Sequence, residues 1–239
     1  MRKICTLLFM FTFLLVQGAE LTTEQFLRMV QDASKYNGST YGILEGTASH
    51  VRREKGRKTV EEYPCFMAVV ITPGKSITQI IVNNNEGYLV GRVANTSTSV
   101  RSLGKKAAVM QRIGISPRDL SMSFLDGRLI KELPSETLRM VNCRVLLLKC
   151  EKPAEWCRIY VAKDYFFVLK AEFFTSEPKE NDKPVRTLEV DSFAQKNKLY
   201  YTRSLVLSGA GWRTDISFDR ADMNLYDPSS TKSVFRSLK

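Results

Sequence analysis

Histidine is nearly absent: the 239 residues contain one, His50. Ser-His-Asp or Cys-His catalysis would have to run through it, and no nucleophile motif accompanies it. The chain has no HExxH, no GxSxG and no phosphate-cradling glycine loop; Gly209-Ala210-Gly211 reads as a turn between strands. Ser229-Ser230-Thr231-Lys232 is formally an SxxK, but it sits in a polar tail rather than at the head of a buried helix. Adjacent carboxylates such as Glu61-Glu62 point to opposite faces of a strand and do not act together. CxxC is missing too, so with one histidine a zinc site lacks ligands. These absences weigh against an enzyme and against a bound cofactor. There is also no second long apolar run, no low-complexity tract and no internal repeat, which leaves one β-rich domain as the expectation.

What is present begins with Met1-Arg2-Lys3, an apolar run from Ile4 to Val16, and the small residues Gly18 and Ala19. A charged start, a short apolar centre and a small-residue end predict an export signal over 1–19, removed to leave 20–239. The run is short for a membrane span, which takes about 20 apolar residues. Losing Arg2 and Lys3 from 36 basic residues leaves 34 against 25 acidic ones, a charge near +9. For an exported protein that balance favours transient contact with an anionic membrane surface over nucleic acid.

Four cysteines remain: Cys65, Cys143, Cys150 and Cys157. An even number in an exported chain predicts disulfides, with three pairings open. Cys150 and Cys157 flank the EKPAEW turn and suit a cross-hairpin bond, which leaves Cys65 for Cys143. Ring-closure entropy assigns these bonds about 2.5 and about 4.5 kcal/mol.

The strand signal is strongest between Cys143 and Phe193. Tyr165, Phe167, Leu169, Ala171 and Phe173 share one face of an extended chain, and Leu188 and Val190 alternate with Glu189 and Asp191. Period-two runs closed by turn-rich gaps mark antiparallel strands with one apolar and one wet face. Four runs lie before residue 95 and six from residue 138 onward, linked by short turns that predict meanders. A twisted sheet of about ten or eleven strands curls toward a barrel. Alternation points Met67, Val69, Ile80, Val82, Leu146 and Leu148 inward, with Phe167, Leu169, Phe173, Leu188 and Val190.

Two stretches read as helix. One opens at Leu21-Thr22-Thr23-Glu24-Gln25, is capped by Thr22 or Thr23, and ends near Tyr36-Asn37-Gly38. The other lies between the strand blocks, with Ser116 as cap, Pro117 at its first position, and Leu120, Phe124 and Leu125 as its apolar edge. The intervening 99–111 is mixed, helix or loop. The expected class is mainly β with helices (α+β), the helices covering an apolar sheet face. A filled core and a hollow for an apolar ligand fit this pattern equally. Leaving a 16-carbon chain in water costs about 12 kcal/mol, so an acyl carrier would need a large hollow.

The second half carries WCRIYVAKDYFFVLKAEFF, then the T-L-E-V-x-x-F stretch within Arg186–Phe193, and a closing segment marked by Thr214, Ile216, Phe218, Asp219, Asn224, Pro228, Phe235 and Leu238. In these residues the chain resembles the LolA-like outer-membrane lipoprotein-sorting proteins. The closest correspondence covers Trp156–Lys239, while the front half matches in layout only. The four mature cysteines and the basic 95–114 segment depart from the family pattern. The resemblance implies an unclosed antiparallel β-barrel under a helical lid, in the periplasm. It further implies a non-enzymatic carrier of the acyl chains of a lipoprotein or lipid, served by membrane-bound release and acceptor proteins. The same fold serves envelope-stress regulators, so a sensory protein-binding module with a closed cavity is the alternative.

Overall fold

A computed structural model describes residues 21–32, 38–93, 98–104, 109–151, 153–229 and 233–238. The expected export signal, the helix end at Tyr36-Asn37 and most of the SxxK tail fall outside these residues. Twelve described strands form one antiparallel sheet: β1 (Thr40–Glu54), β2 (Arg57–Thr72), β3 (Lys75–Val82), β4 (Glu86–Val93), β5 (Ser99–Ser102), β6 (Arg128–Leu138), β7 (Val141–Cys150), β8 (Glu155–Ala162), β9 (Val168–Phe174), β10 (Arg186–Lys196), β11 (Leu199–Gly209) and β12 (Trp212–Leu225). Their spatial order is β5-β4-β3-β2-β1-β12-β11-β10-β9-β8-β7-β6. Two meanders are thus joined through the β1–β12 pair, and β5 and β6 remain free edges. The sheet is unclosed.

Twelve strands correct the expected ten or eleven. The additions are β5, only four residues long, and β6. β6 escapes period-two reading because its ladder with β7 slips twice and it carries Pro134. Both features belong to edge strands, where a missing N–H breaks no second ladder.

The helices are short. α1 (Thr23–Gln31) begins with a capping box in which Thr22 and Gln25 satisfy each other's backbone N–H. It ends at Gln31 with Asp32 as its C-cap, and the expected end near Tyr36-Asn37-Gly38 lies mostly beyond the described residues. α2 (Val109–Arg112), α3 (Pro117–Leu120) and a 3-10 turn (Ser123–Asp126) lie in the chain between β5 and β6; α3 contacts β4 and the 3-10 turn contacts β7, each next to a free edge. α3 starts as its sequence predicts, with Ser116 as cap, Pro117 next and a reciprocal bond with Asp119. No helix among the described residues is long and apolar enough to cross a membrane.

Both faces of the sheet are apolar in places. The inner face forms one large cluster running from Leu44 and Ala48 through Ile80 and Val82, across Leu146, Leu148, Ile159, Phe173, Leu188 and Leu207 to Ile216 and Phe218. On the outer face of β1–β3, Phe66, Ala68, Val70 and Ile81 are covered by the C-terminal tail through Val234, Phe235 and Leu238. Gln79 clamps that tail by giving a hydrogen bond to the Arg236 carbonyl (2.7 Å) and taking one from its N–H (2.8 Å). A separate outer cluster joins Cys143, Val145 and Tyr160 to Leu133, Leu138 and Leu169.

Candidate functional site

The inner face and what covers it make the candidate site. Of the thirteen inward candidates, Ile80, Val82, Phe124, Leu125, Leu146, Leu148, Phe173, Leu188 and Val190 meet in the inner cluster, and Met67 packs against it half-buried. Three do not join them. Val69 is half-buried beside Gly42. Phe167 precedes β9 and stacks on Phe193 with centroids 5.0 Å apart. Leu169 points outward onto Cys143, Val145 and Tyr160. The cause is a bulge: Tyr160 pairs with Lys170 but Val161 pairs with Val168, so Leu169 is squeezed out and Val168 turns inward. One extra residue reverses every side chain beyond it.

The expected disulfides are absent, and all four cysteines are free, buried thiols. Across the β7–β8 ladder Cys150 faces Glu155 and Cys157 faces Leu148, so the two thiols are diagonal rather than opposite. Diagonal positions lie about 7–8 Å apart at Cα, beyond ordinary disulfide geometry. Cys65 belongs to the inner cluster and Cys143 to the outer one, with the sheet between them. Burial pushes the Cys65 thiol up to about 12. It pushes Cys150 up to about 11, with Glu155 adding to it.

The cover consists of α1 and residues 109–127. Phe26 and Leu27 come from α1; Met110, Ile113, Ile115, Leu120, Phe124 and Leu125 come from the insertion. All eight are buried against the sheet. The Phe124 ring meets Phe173 edge-on at 5.4 Å, and Phe26 lies 5.3 Å from Phe166. These cover residues pack into the inner-face cluster.

Polar links hold the cover around its margin. Glu86 accepts a hydrogen bond from the Met110 N–H (3.1 Å), and Gln31 gives one to the Leu125 carbonyl (2.7 Å). Asp126 takes a paired hydrogen bond from Arg92 on β4 and another from Thr98, tying the far end of the insertion to the first meander. Thr214 on β12 gives its single hydroxyl proton to the Ile113 carbonyl (2.5 Å). Toward His50 Nδ1, 2.8 Å away, it must therefore accept, which puts the imidazole proton on Nδ1. Burial lowers the His50 pKa below 6.5, with Arg52 and Arg112 adding to it and Glu61 opposing. Next to this link the Trp212 ring lies against Gly114, whose φ is +73°; a Cβ there would come within 2.4 Å of the ring.

A fifth link, like that between Arg92 and Asp126, is ionic. Arg186, at the start of β10, gives one hydrogen bond to Asp119 Oδ1 in α3 (2.5 Å) and a pair to Glu155 at the start of β8 (3.0 and 3.1 Å). Its guanidinium lies over the Phe173 ring at 3.6 Å. Asp119 is 1% exposed. Burial opposes the Arg186 charge, but Asp119 and Glu155 outweigh it and raise the Arg186 pKa. Burial likewise raises Glu155, against the pull of Arg186. Beside this triad opens a cavity of about 540 Å³, within the range of small-molecule sites. Ile115, Pro117, Arg118 and Asp119 of the cover line one wall; Val100, Pro153, Glu155 and Arg186 line the others. Its lining thus comes from both meanders, Val100 from the first and Glu155 and Arg186 from the second.

Sequence reading missed the triad and the Thr214 link. Asp119, Glu155 and Arg186 are far apart in the chain, and none stands in a motif for an ion pair. The one available signal was a charged residue at the head of a strand.

No protein-family model matches the chain, and no curated protein matches it. Solved structures do. A DUF1329 family protein from Desulfovibrio piger superimposes with a TM-score of 0.61 at 15% identity, over 87% of this chain and 94% of that one. A putative outer membrane lipoprotein-sorting protein domain from Vibrio parahaemolyticus gives 0.62 at 13% identity, over 84% and 93%. At such identities the likeness is one of fold.

Proposed function

We propose, from the premise that this chain has the LolA-like fold, that it is a non-enzymatic periplasmic carrier. It takes the acyl chains of a lipoprotein or lipid between the inner sheet face and the cover and passes them toward the outer membrane. Membrane-bound release and acceptor proteins would serve as its exchange partners. The observation that carries this reading is the placement of the cover. An apolar insertion spans the gap between the two free edges and is fastened by polar links at its margin, with a cavity at one end.

The energetics make exchange feasible. Each buried Leu, Ile, Met or Phe of the cover contributes about 1.5–3 kcal/mol, so the six from 109–127 contribute about 9–18 kcal/mol. A 16-carbon chain contributes about 12 kcal/mol when buried. An acyl chain can therefore replace the cover's contacts with the sheet at little net cost, and the marginal links set the balance. Full exposure of the cover to water would cancel the gain, so the cover rides on the bound chain. On this reading a polar head group emerges at the cavity beside the Arg186 triad.

Native mass spectrometry of protein purified without detergent, paired with uptake of a fluorescent fatty acid, tests the reading. Bound lipid or saturable uptake supports it; absence of both removes it. The second reading, a sensory protein-binding module plugged by its own side chains, draws on the fully buried Met110, Ile113 and Phe124. It expects a stable protein partner and no acyl uptake, even after the marginal links are broken.

A further inference from the structure

Nine large apolar side chains stand exposed among the described residues: Leu21, Val60, Val93, Val100, Met140, Tyr165, Val185, Tyr200 and Leu225. Their positions are uneven. Antiparallel neighbours reverse direction at each turn, so the β6–β7, β8–β9 and β10–β11 turns and the end of β12 share one end of the sheet. Met140 (96% exposed), Tyr165 (67%), Tyr200 (57%) and Leu225 (68%) stand on those elements. Val93 closes β4 at the same end. The cavity and its triad lie at the opposite end, where β8 and β10 begin.

Three contacts make these tips one continuous rim. The Lys163 N–H donates to the Asn142 carbonyl at 2.9 Å, joining the first two turns. Phe167 and Tyr200 have ring centroids 6.2 Å apart, joining the second and third. Asn197 gives a hydrogen bond to the Met223 carbonyl at 2.8 Å, joining the third to β12.

Folding preference does not explain the side chains on this rim. Arg139 and Met140 both have positive φ, +49° and +67°, in the two-residue turn between β6 and β7. Such a turn favours Asn-Gly, so a methionine in its second place is opposed by backbone strain and, with its side chain in water, by hydration. The charge around the tips is mostly positive. The three turns carry Arg139, Lys163, Lys196 and Lys198 against Asp164, and Arg139 is engaged by Glu189 and Asp191. Apolar tips set among lysines fit the boundary of an anionic bilayer, where tyrosine rings settle at head-group depth and lysines reach the phosphates.

We infer that this rim is a docking surface for an anionic lipid membrane, with Met140, Tyr165 and Tyr200 as the inserting side chains and Lys196 and Lys198 as the charge contacts. The inference concerns the end of the sheet away from the cavity, so it stands or falls apart from the carrier reading.

Co-sedimentation of the mature chain with vesicles tests it, using phosphatidylcholine alone and phosphatidylcholine mixed with phosphatidylglycerol. The chain binds the mixed vesicles and releases them as salt is raised. Each lysine near an anionic surface is worth about fivefold in affinity, so Lys196→Gln with Lys198→Gln weakens binding about thirtyfold. Met140→Ser, Tyr165→Ser and Tyr200→Ser together weaken it by at least about tenfold through lost apolar insertion. These exposed positions leave the thermal midpoint near that of the parent, and Val60→Ser leaves binding unchanged. Failure of the parent chain to bind mixed vesicles at low salt overturns the inference. So does undiminished binding by both tip variants, which would move the contact to the basic Arg52–Lys58 hairpin at the other end. Acyl-probe uptake by the tip variants reads the carrier function separately and is expected to match the parent.

Discussion

Replacing Arg186 by methionine tests how the cover is held. The side chain keeps most of its volume over Phe173 but leaves Asp119 and Glu155 buried without their cation. Removing one partner of a buried ion pair costs about 3–5 kcal/mol, a large share of the 5–15 kcal/mol typical of a folded domain. Urea unfolding followed by the fluorescence of Trp156 and Trp212 reads the loss; with a slope of about 2–3 kcal/mol/M the midpoint falls by about 1–2 M. The loss also depends on pH. Burial already raises Glu155 in the parent, and without Arg186 it rises further, so the folded variant binds a proton more tightly than the unfolded chain. Stability conferred by that proton is present below the ordinary carboxylate range and disappears as pH rises through the raised folded value. The variant is therefore weakest near neutral pH and recovers part of its deficit toward about pH 5. Adding Glu155→Gln and Asp119→Asn, which neutralises both stranded carboxylates, recovers part of it at neutral pH. A midpoint within about 0.3 M of the parent at neutral pH, or a deficit that does not change with pH, would show that the triad does not hold α3 and would refute the reasoning.

Three further outcomes follow from the same geometry. Gly114→Ala sets a Cβ against the Trp212 ring at a φ of +73°; it should destabilise the fold by about 2 kcal/mol or more, measured by thermal or urea midpoint. His50 has a folded pKa below 6.5, so its contribution is complete above that value and is lost as pH falls through the folded value. Stability of the parent should drop across this window, and His50→Gln should flatten the slope. The buried thiols, with Cys65 up to about 12 and Cys150 up to about 11, should ignore Ellman's reagent in the native chain. They should titrate as four groups after unfolding without reductant. Two or fewer would restore the disulfides.

The fold was legible where local chemistry decides it. Thr22 and Ser116 announce their caps, and short polar links between β-branched runs announce the meanders, because each signal lies within four residues of its effect. Periodicity failed at the margins of the sheet. β6 has polar residues on both faces and a proline because an edge strand is wet on one side and unpaired along one flank. β2 and β3 are apolar on both faces, and the partner of their outer face, the tail with Val234 and Phe235, is more than 150 residues away. No window of sequence holds both halves of that contact.

The same limit separates what was visible of the site from what was not. Alternation placed Leu188 and Val190 inside but assigned Leu169 to the wrong face, because a bulge changes parity without marking the sequence. Parity also misled the cysteines: Cys150 and Cys157 flank a turn, but a bond across antiparallel strands needs directly opposed positions, and the register offers Glu155 and Leu148 instead. Apolar faces can thus be read from composition within a strand. Which charged residue closes on which carboxylate is set by strand register and by where the insertion crosses between the free edges. Arg186 shows the consequence. In sequence it is one more basic residue ahead of a strand, and only the β8–β10 geometry and the position of α3 make it the ion that fastens the cover.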